Sequence, residues 1–134
     1  MKRLFIFLIS GLLLACHPSN PTQKQVSNKQ ETAADESGLN RHPQNIHYSR
    51  HARCRMECRH INETEIRQVL ENGTVNYRKS ELEGDACHQK FAVEGKVQND
   101  HLRVIFAPCG STVTVVTCID LDRQWSCDCP GDNH

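Results

Sequence analysis

Eight cysteines in a chain of 134 residues are the feature that most limits how this sequence can fold. Only 37% of the residues are apolar and 5% are aromatic, and a chain this small buries little more than about 60% of its unfolded surface. Disulfides are the usual means of stabilising such a thin core, and they persist in oxidising compartments. The cysteine content therefore predicts one small, disulfide-stapled domain outside the cytoplasm.

The N-terminus has the pattern of an export signal. Lys2 and Arg3 precede an apolar stretch over residues 4–14, and a Leu-Ala-Cys sequence ending at Cys16 closes it. At a rise of about 1.5 Å per residue the stretch reaches roughly 16 Å, about half the hydrocarbon thickness of a bilayer. It is too short for a spanning helix, so we predict that residues 1–15 are a cleaved signal peptide.

The sequence that ends at Cys16 resembles the bacterial lipobox. This resemblance implies that the cysteine becomes the mature N-terminus and carries a covalent diacylglycerol and an acyl chain such as palmitate. Two or three acyl chains anchor stably, since each buried methylene contributes about 0.8 kcal/mol. The expected location is the bacterial cell envelope, membrane-anchored and facing the periplasm or the exterior. An ordinary signal peptide with a stray cysteine at its end is the alternative.

A polar segment follows the predicted anchor. Residues 17–45 are rich in Pro, Ser, Asn, Gln and Thr, and their few aliphatic side chains cannot offset the entropy of ordering the chain. We therefore predict a lipidated N-terminus and disordered tether over residues 16–45. The cysteine-rich domain is expected to occupy residues 46–134.

The charge of the chain bears on its partners. Sixteen Lys and Arg residues balance sixteen Asp and Glu residues, and removal of Lys2 and Arg3 with the signal peptide would leave a mature charge of about −2. A broad positive field that captures polyanions is therefore not expected. Nucleic acid is not expected as a partner, and the expected partners are the membrane, through the lipid, and an unidentified envelope protein or ligand.

Two helices are predicted at the start of the domain. Residues 48–59 contain no Gly or Pro, and Ser49 is available as an N-cap. Asn62 stands three residues before Glu65, the pattern of a capping box, and Gly73 follows at the place of a left-handed C-terminal cap. A second helix is therefore expected between Asn62 and Gly73.

Beyond the second helix, apolar residues recur at every second position, which is typical of strands. Four strands are predicted from these residues: Val75 with Tyr77, Phe91 with Val93, Leu102 with Val104 and Phe106, and Val113 with Val115. Helices followed by strands indicate an α+β fold. We expect two N-terminal helices packed on a four-stranded antiparallel sheet.

The first helix carries a motif that precedes a Glu-Ile-x-x-Val-Leu-x-x-Gly helix and then strands: His51, Ala52, Arg55, Met56, Arg59 and Ile61. This pattern resembles the bacterial domain-of-unknown-function family 4258, whose small α+β modules are similar in fold to the RelE-like and barnase-like ribonuclease toxins. The resemblance covers about residues 46–120. It implies the α+β fold and, as in some relatives, an RNA-cleaving site near the first helix.

An enzymatic interpretation depends on His51, Arg55 and Arg59. His51 could act as a general base beside Arg55 as an oxyanion stabiliser, the pair that ribonuclease-like chemistry requires. Arg50 and Arg53 extend the run to four arginines within ten residues, a basic patch able to hold phosphate or carboxylate groups. The alternative is a solvated helix face compensated by acids on the strands.

Two disulfides are predicted between the first helix and the C-terminal tail, formed by Cys54, Cys58, Cys127 and Cys129. The spacing within neither pair brings its own Cβ atoms to the roughly 3.5–4.5 Å that a disulfide needs, so pairing across is favoured. Trp125 would then cover the junction.

A zinc site is the alternative for the same cysteines. If the helix starts early enough, one narrow face carries four residues of ligand type: His47, His51, Cys54 and Cys58. The ends of this stripe would lie about 16 Å apart, so one helix can supply only two ligands to one ion. The other two would be Cys127 and Cys129.

A third disulfide is expected across a hairpin. If Gly95 lies opposite His101, then Cys87 lies opposite Cys109, with Cβ atoms about 4.5–5.5 Å apart. Cys118 lies within an apolar strand and is predicted to be the unpaired, buried thiol.

These observations favour a noncatalytic lipoprotein domain that binds a partner or gives structural support in the envelope. A ribonuclease-like enzyme using His51 and Arg55 is one alternative, and a zinc-binding module is the other. No cofactor is expected beyond the lipid on Cys16, with zinc as the exception under the last alternative.

Overall fold

The computed structural model describes residues 37–132. In chain order the elements are β1 (Asn45–Tyr48), α1 (Arg50–Arg59), α2 (Glu63–Asn72), β2 (Thr74–Val75), a 3-10 turn (Tyr77–Lys79), β3 (Phe91–Val97), β4 (Asp100–Cys109) and β5 (Thr112–Asp120). The strands form one five-stranded sheet in the order β1-β5-β4-β3-β2. The α+β class is confirmed, whereas the predicted four-stranded antiparallel sheet is instead five-stranded and mixed.

The fifth strand is β1, which pairs parallel to β5 with Asn45 opposite Thr112 and Tyr48 opposite Val115. Its sequence, Asn-Ile-His-Tyr, is too short and too polar to show a strand pattern, and its partner is distant in the chain. Because β1 holds His47, helix α1 begins only at Arg50. The predicted stripe of four His and Cys residues on one helix is therefore wrong.

The folded unit begins before residue 46. The side chain of Leu39 is fully buried in the core, and Arg41 donates hydrogen bonds to the carbonyls of Leu70 at 2.7 Å and Gly73 at 3.0 Å. Part of the predicted tether thus belongs to the domain, because Leu39 is buried in the core and Arg41 bonds to the C-terminal end of α2, although the segment as a whole is polar. The predicted signal peptide, Cys16 and the remainder of the predicted tether lie outside the described residues.

Helix α1 is held against β5 at its N-cap, Ser49. The Ser49 hydroxyl accepts a hydrogen bond from the Ala52 N–H at 2.9 Å and donates one to the Val116 carbonyl at 2.8 Å. Val116 is the extra residue of a β-bulge, where the β4–β5 register shifts between Ile105 and Phe106. The predicted N-cap is thus confirmed, and the bulge positions the Val116 carbonyl that accepts from the Ser49 hydroxyl.

Helix α2 has the predicted capping box. The Asn62 side chain accepts from the Glu65 N–H at 3.0 Å, and the Glu65 carboxylate accepts from the Asn62 N–H at 2.8 Å. Gly73, however, is extended, with φ −75° and ψ 164°, so the predicted left-handed cap is wrong. The left-handed cap occurs at the end of α1, where His60 has φ 57°.

The hairpin of β3 and β4 differs from the predicted register by one residue, since Gly95 lies opposite Leu102 and not His101. Val97 pairs with Asp100, which leaves a two-residue turn, whereas a pairing of Gly95 with His101 would have left residues 96–100 as the loop. The Cys87–Cys109 disulfide is nevertheless present, because Cys87 lies in the loop before β3 and is not bound by the strand register.

The 74–79 region is also less regular than predicted. Val75 belongs to a strand of two residues, and Tyr77 begins a 3-10 turn.

One core lies between the helices and the inner face of the sheet. Its largest fully buried side chains include Phe91, Phe106, Leu39, Ile66, Leu70 and Leu102. Cys118 is buried in this core and unpaired. Over residues 37–132, no helix has the length and apolar character needed to cross a membrane.

Candidate functional site

The chain after β5 runs back along α1 in the opposite direction. We call residues 125–132 the C-terminal strap. Disulfides join it to the helix at two levels: Cys58 to Cys127 with a Cα–Cα distance of 6.0 Å, and Cys54 to Cys129 with 5.7 Å. The predicted pairing of helix with tail is thus what the structure contains. In this state the four sulfurs carry no thiolate, so a zinc site at these cysteines would require both bonds to be reduced.

The start of the strap is anchored by Asp120, the last residue of β5. Its carboxylate accepts hydrogen bonds from the Trp125 indole N–H at 2.8 Å and from the backbone of Asp122 at 3.0 Å. The Trp125 ring also meets His60 edge-on, with centroids 5.7 Å apart. Burial raises the pKa of Asp120, and these hydrogen bonds outweigh it, so the pKa is lowered overall.

The end of the strap meets His51 and Arg55, the two residues of the predicted catalytic pair. His51 Nδ1 lies 2.8 Å from the Pro130 carbonyl, which can only accept, so Nδ1 carries the proton of the neutral ring. His51 Nε2 then accepts from Arg55 Nε at 3.4 Å. Both ring nitrogens of the predicted general base are thus engaged within the protein.

Asp132 completes this cluster. Arg55 Nη2 donates to Asp132 Oδ1, and Oδ2 accepts from the Cys129 N–H at 3.0 Å. The bond from Cys129 lowers the pKa of Asp132 most; burial raises it, and Arg55 and His51 lower it further. The strap therefore places an ionised carboxylate on the arginine.

Arg59 points into the protein beside this cluster. Its Nη1 donates to the Cys118 carbonyl, while its buried Nε has no hydrogen-bond partner among residues 37–132. Burial lowers the pKa of Arg59, and the like charge of Arg55 lowers it further. Arg59 is therefore a structural and electrostatic neighbour of the cluster.

The four arginines of α1 do not form one basic patch. Arg55 and Arg59 are partly buried and donate to Asp132 and to the Cys118 carbonyl, whereas Arg50 and Arg53 are exposed. Arg53 is exposed. Its guanidinium carbon lies 5.1 Å from the centroid of the Tyr48 ring, and its Nη1 lies 3.7 Å from Glu63 Oε1. The predicted patch is thus divided into two arginines that bond within the protein and two that are exposed.

Sequence reasoning missed Asp132. The available signal was its position three residues after Cys129, which the predicted disulfide brings to the arginine-rich helix. In the described range 37–132, no group of three or more His, Cys, Asp or Glu residues is arranged to hold a metal ion.

A family model described as a domain of unknown function, DUF4258, matches residues 48–120. The matched range contains His51, Arg55 and Arg59 but ends before the strap. The partners of Cys54 and Cys58 therefore come from outside the matched range. Neither a curated protein nor a solved structure matches the chain.

Proposed function

The chain belongs to the DUF4258 family, and from this starting point we propose that it is a lipid-anchored domain of the bacterial cell envelope. It acts without catalysis, by binding a partner or by structural support. Three disulfides in the described domain favour an oxidising compartment, which is the environment that an export signal and a lipobox lead to.

The observation that carries the noncatalytic role is the position of the strap. Two disulfides hold it across the face of α1 that presents His51 and Arg55, and both side chains bond to strap residues. A general base needs a free acceptor within reach of a substrate proton. His51 Nδ1 faces the Pro130 carbonyl and Nε2 faces Arg55, so the geometry favours a clamped structural joint over an open catalytic centre.

The anchor is tested by metabolic labelling of the full chain with a tagged fatty acid, followed by membrane fractionation. We expect the wild-type protein to be labelled and membrane-bound and Cys16→Ala to be unlabelled. Ser19→Ala, which alters a neighbouring polar residue and keeps the cysteine, is the matched control. Unlabelled wild-type protein in the soluble fraction would contradict the anchor.

The noncatalytic role is tested by incubating the oxidised protein with labelled RNA. We expect no cleavage above that of buffer. Cleavage that His51→Ala abolishes, with the fold unchanged, would overturn the proposal and favour the ribonuclease alternative. Native mass spectrometry of the same sample separates disulfides, each of which removes two hydrogens, from bound zinc, whose added mass would favour the metal-binding alternative.

A further inference from the structure

We propose that Arg55 and His51 form an oxyanion-binding site that the protein's own Asp132 carboxylate occupies. A carboxylate or phosphate group of a ligand takes this site when residues 130–132 move away. The inference rests on the proposed function only in that a bound partner would present the oxyanion.

The chemistry of the site suits an oxyanion. The Arg55 guanidinium donates from Nη2 to the carboxylate and from Nε to His51, which holds the side chain in one orientation. His51 Nδ1 lies 3.9 Å from the same Asp132 oxygen. Arginine forms charge-assisted, directional hydrogen bonds with carboxylate and phosphate oxygens alike.

The site is partly shielded from water. The side chains of Arg55 and Asp132 are 18% and 14% exposed, and that of His51 is 26% exposed. Arg59 adds a second positive charge close by, since Arg55 lowers its pKa. Two guanidinium groups in a partly buried place favour an anion near them, because their mutual repulsion is screened less there than in bulk water.

The covering residues can leave without breaking a disulfide. Residues 130–132 follow Cys129, the last bridged position. Pro130 and Gly131 are exposed, and no residue of the 130–132 segment belongs to the hydrophobic core. The segment is held by the bonds of Pro130 and Asp132 to α1 and by two bonds to Cys129: its N–H donates to Asp132 Oδ2 and its carbonyl accepts from the Asp132 N–H, both at 3.0 Å. Opening therefore costs polar contacts, and an incoming anion replaces those made to His51 and Arg55.

An external ligand can bind only to molecules whose site is open. Its apparent affinity is therefore its intrinsic affinity multiplied by the fraction of molecules in the open state. Removing the Asp132 carboxylate should therefore tighten oxyanion binding. With a charge-assisted bond keeping the site closed in most molecules, we expect inorganic phosphate to bind Asp132→Ala about tenfold more tightly than it binds the wild-type protein.

The experiment is an NMR titration of the full, oxidised chain with inorganic phosphate, followed through the Arg55 Nε–H and the His51 ring signals. A parallel titration with acetate distinguishes the two ligand groups, because the anion that binds more tightly identifies the group the site prefers. Asp132→Asn, which keeps the shape of the side chain, is the second variant and should tighten binding in the same direction. Asp128→Ala removes another strap carboxylate and should bind as the wild-type protein does.

Arg55→Gln in the Asp132→Ala background should abolish the gain. Peptide mapping confirms in each variant that both strap disulfides are intact. The proposal is overturned if neither Asp132 variant binds phosphate or acetate more tightly than the wild-type protein. It is equally overturned if the gain survives Arg55→Gln. Failure of the lipid labelling would leave this result standing, so the two proposals fail separately.

Discussion

At the scale of single residues, Gly73 is required by a close approach and not by a left-handed backbone. A Cβ atom added there would lie 2.5 Å from the Val69 carbonyl oxygen, 2.7 Å from Val93 Cγ1 and 2.8 Å from the Glu94 carbonyl oxygen. Two of these three atoms are backbone and cannot rotate away. The end of α2 therefore packs on β3 at a distance that only glycine allows.

We predict that Gly73→Ala lowers the free energy of unfolding by about 1–3 kcal/mol, the usual cost of overpacking. Urea denaturation followed by circular dichroism measures it. Gly95→Ala is the matched control, because a Cβ there meets its nearest atoms at 3.5 Å, an ordinary contact. Equal losses in the two variants would contradict this explanation.

Cys118 is the second residue with a definite chemical consequence. It is unpaired and fully buried, and burial raises the pKa of its thiol to about 11, although Arg59 opposes the shift. The thiolate is the reactive form, so we predict that iodoacetamide at pH 8 leaves Cys118 unmodified in the native protein and labels it after denaturant is added. Peptide mass spectrometry identifies the labelled position. Rapid labelling without denaturant would show that the thiol is accessible.

The raised thiol pKa also gives a sign for stability. Because the native pKa lies above the ordinary value of 9.0, the contribution of Cys118 is present below about pH 9 and is lost as the pH rises through about 11.

At the scale of elements, the two strap disulfides close nearly the same loop. They bridge residues 75 and 69 positions apart, with their ends only a few residues from each other on both sides. Once one bridge is present, the second restricts the unfolded chain little further, since the loop that it adds is short.

We therefore predict strongly non-additive losses of stability. Replacing Cys58 and Cys127 by serine should cost much less than the roughly 4 kcal/mol that the chain-entropy model assigns to a loop of this length. Replacing Cys54 and Cys129 as well should remove about that full amount. Denaturant midpoints of the wild-type protein, the Cys58/Cys127 variant, the Cys54/Cys129 variant and the variant with all four replaced measure this, and equal, additive losses would show that each bridge acts independently.

At the scale of the whole molecule, stability depends on oxidation. Among residues 37–132, the fully buried side chains include two phenylalanines, Phe91 and Phe106, and small domains have a total stability of about 5–15 kcal/mol. Loss of a native disulfide from a small secreted domain typically costs about 2–5 kcal/mol. The two strap bridges together, at about 4 kcal/mol, and the Cys87–Cys109 bridge, at about 3 kcal/mol, thus make up a large part of the available stability.

We predict that reducing all three disulfides removes the cooperative fold. The near-ultraviolet circular dichroism of Trp125, which is fixed by Asp120 and His60, should disappear on reduction and return on reoxidation. A reduced protein that keeps this signal and its thermal transition would contradict the dependence.

Local patterns in the sequence already determined much of this architecture. The Asn62–Glu65 capping box lies within one turn of chain, and strand residues alternate because neighbouring side chains point to opposite faces. The spacing of the cysteines excluded bonds within each close pair and so favoured the pairing of helix with tail. The strand pattern also favours the observed register over the predicted one. The observed register pairs Val93 with Val104, two apolar residues, whereas the predicted register would have placed Val93 opposite Arg103.

Only the tertiary structure decided the rest. Strand β1 forms because it pairs in parallel with the edge of β5, and no sequence feature of Asn45–Tyr48 predicts that partner. The division of the arginines depends on which face of α1 packs on β5, and the role of Asp132 depends on where the strap ends. Such contacts join residues far apart in the chain, and their energy is gained only after the core and the disulfides have brought them together. A local sequence pattern cannot encode a partner that the fold itself supplies.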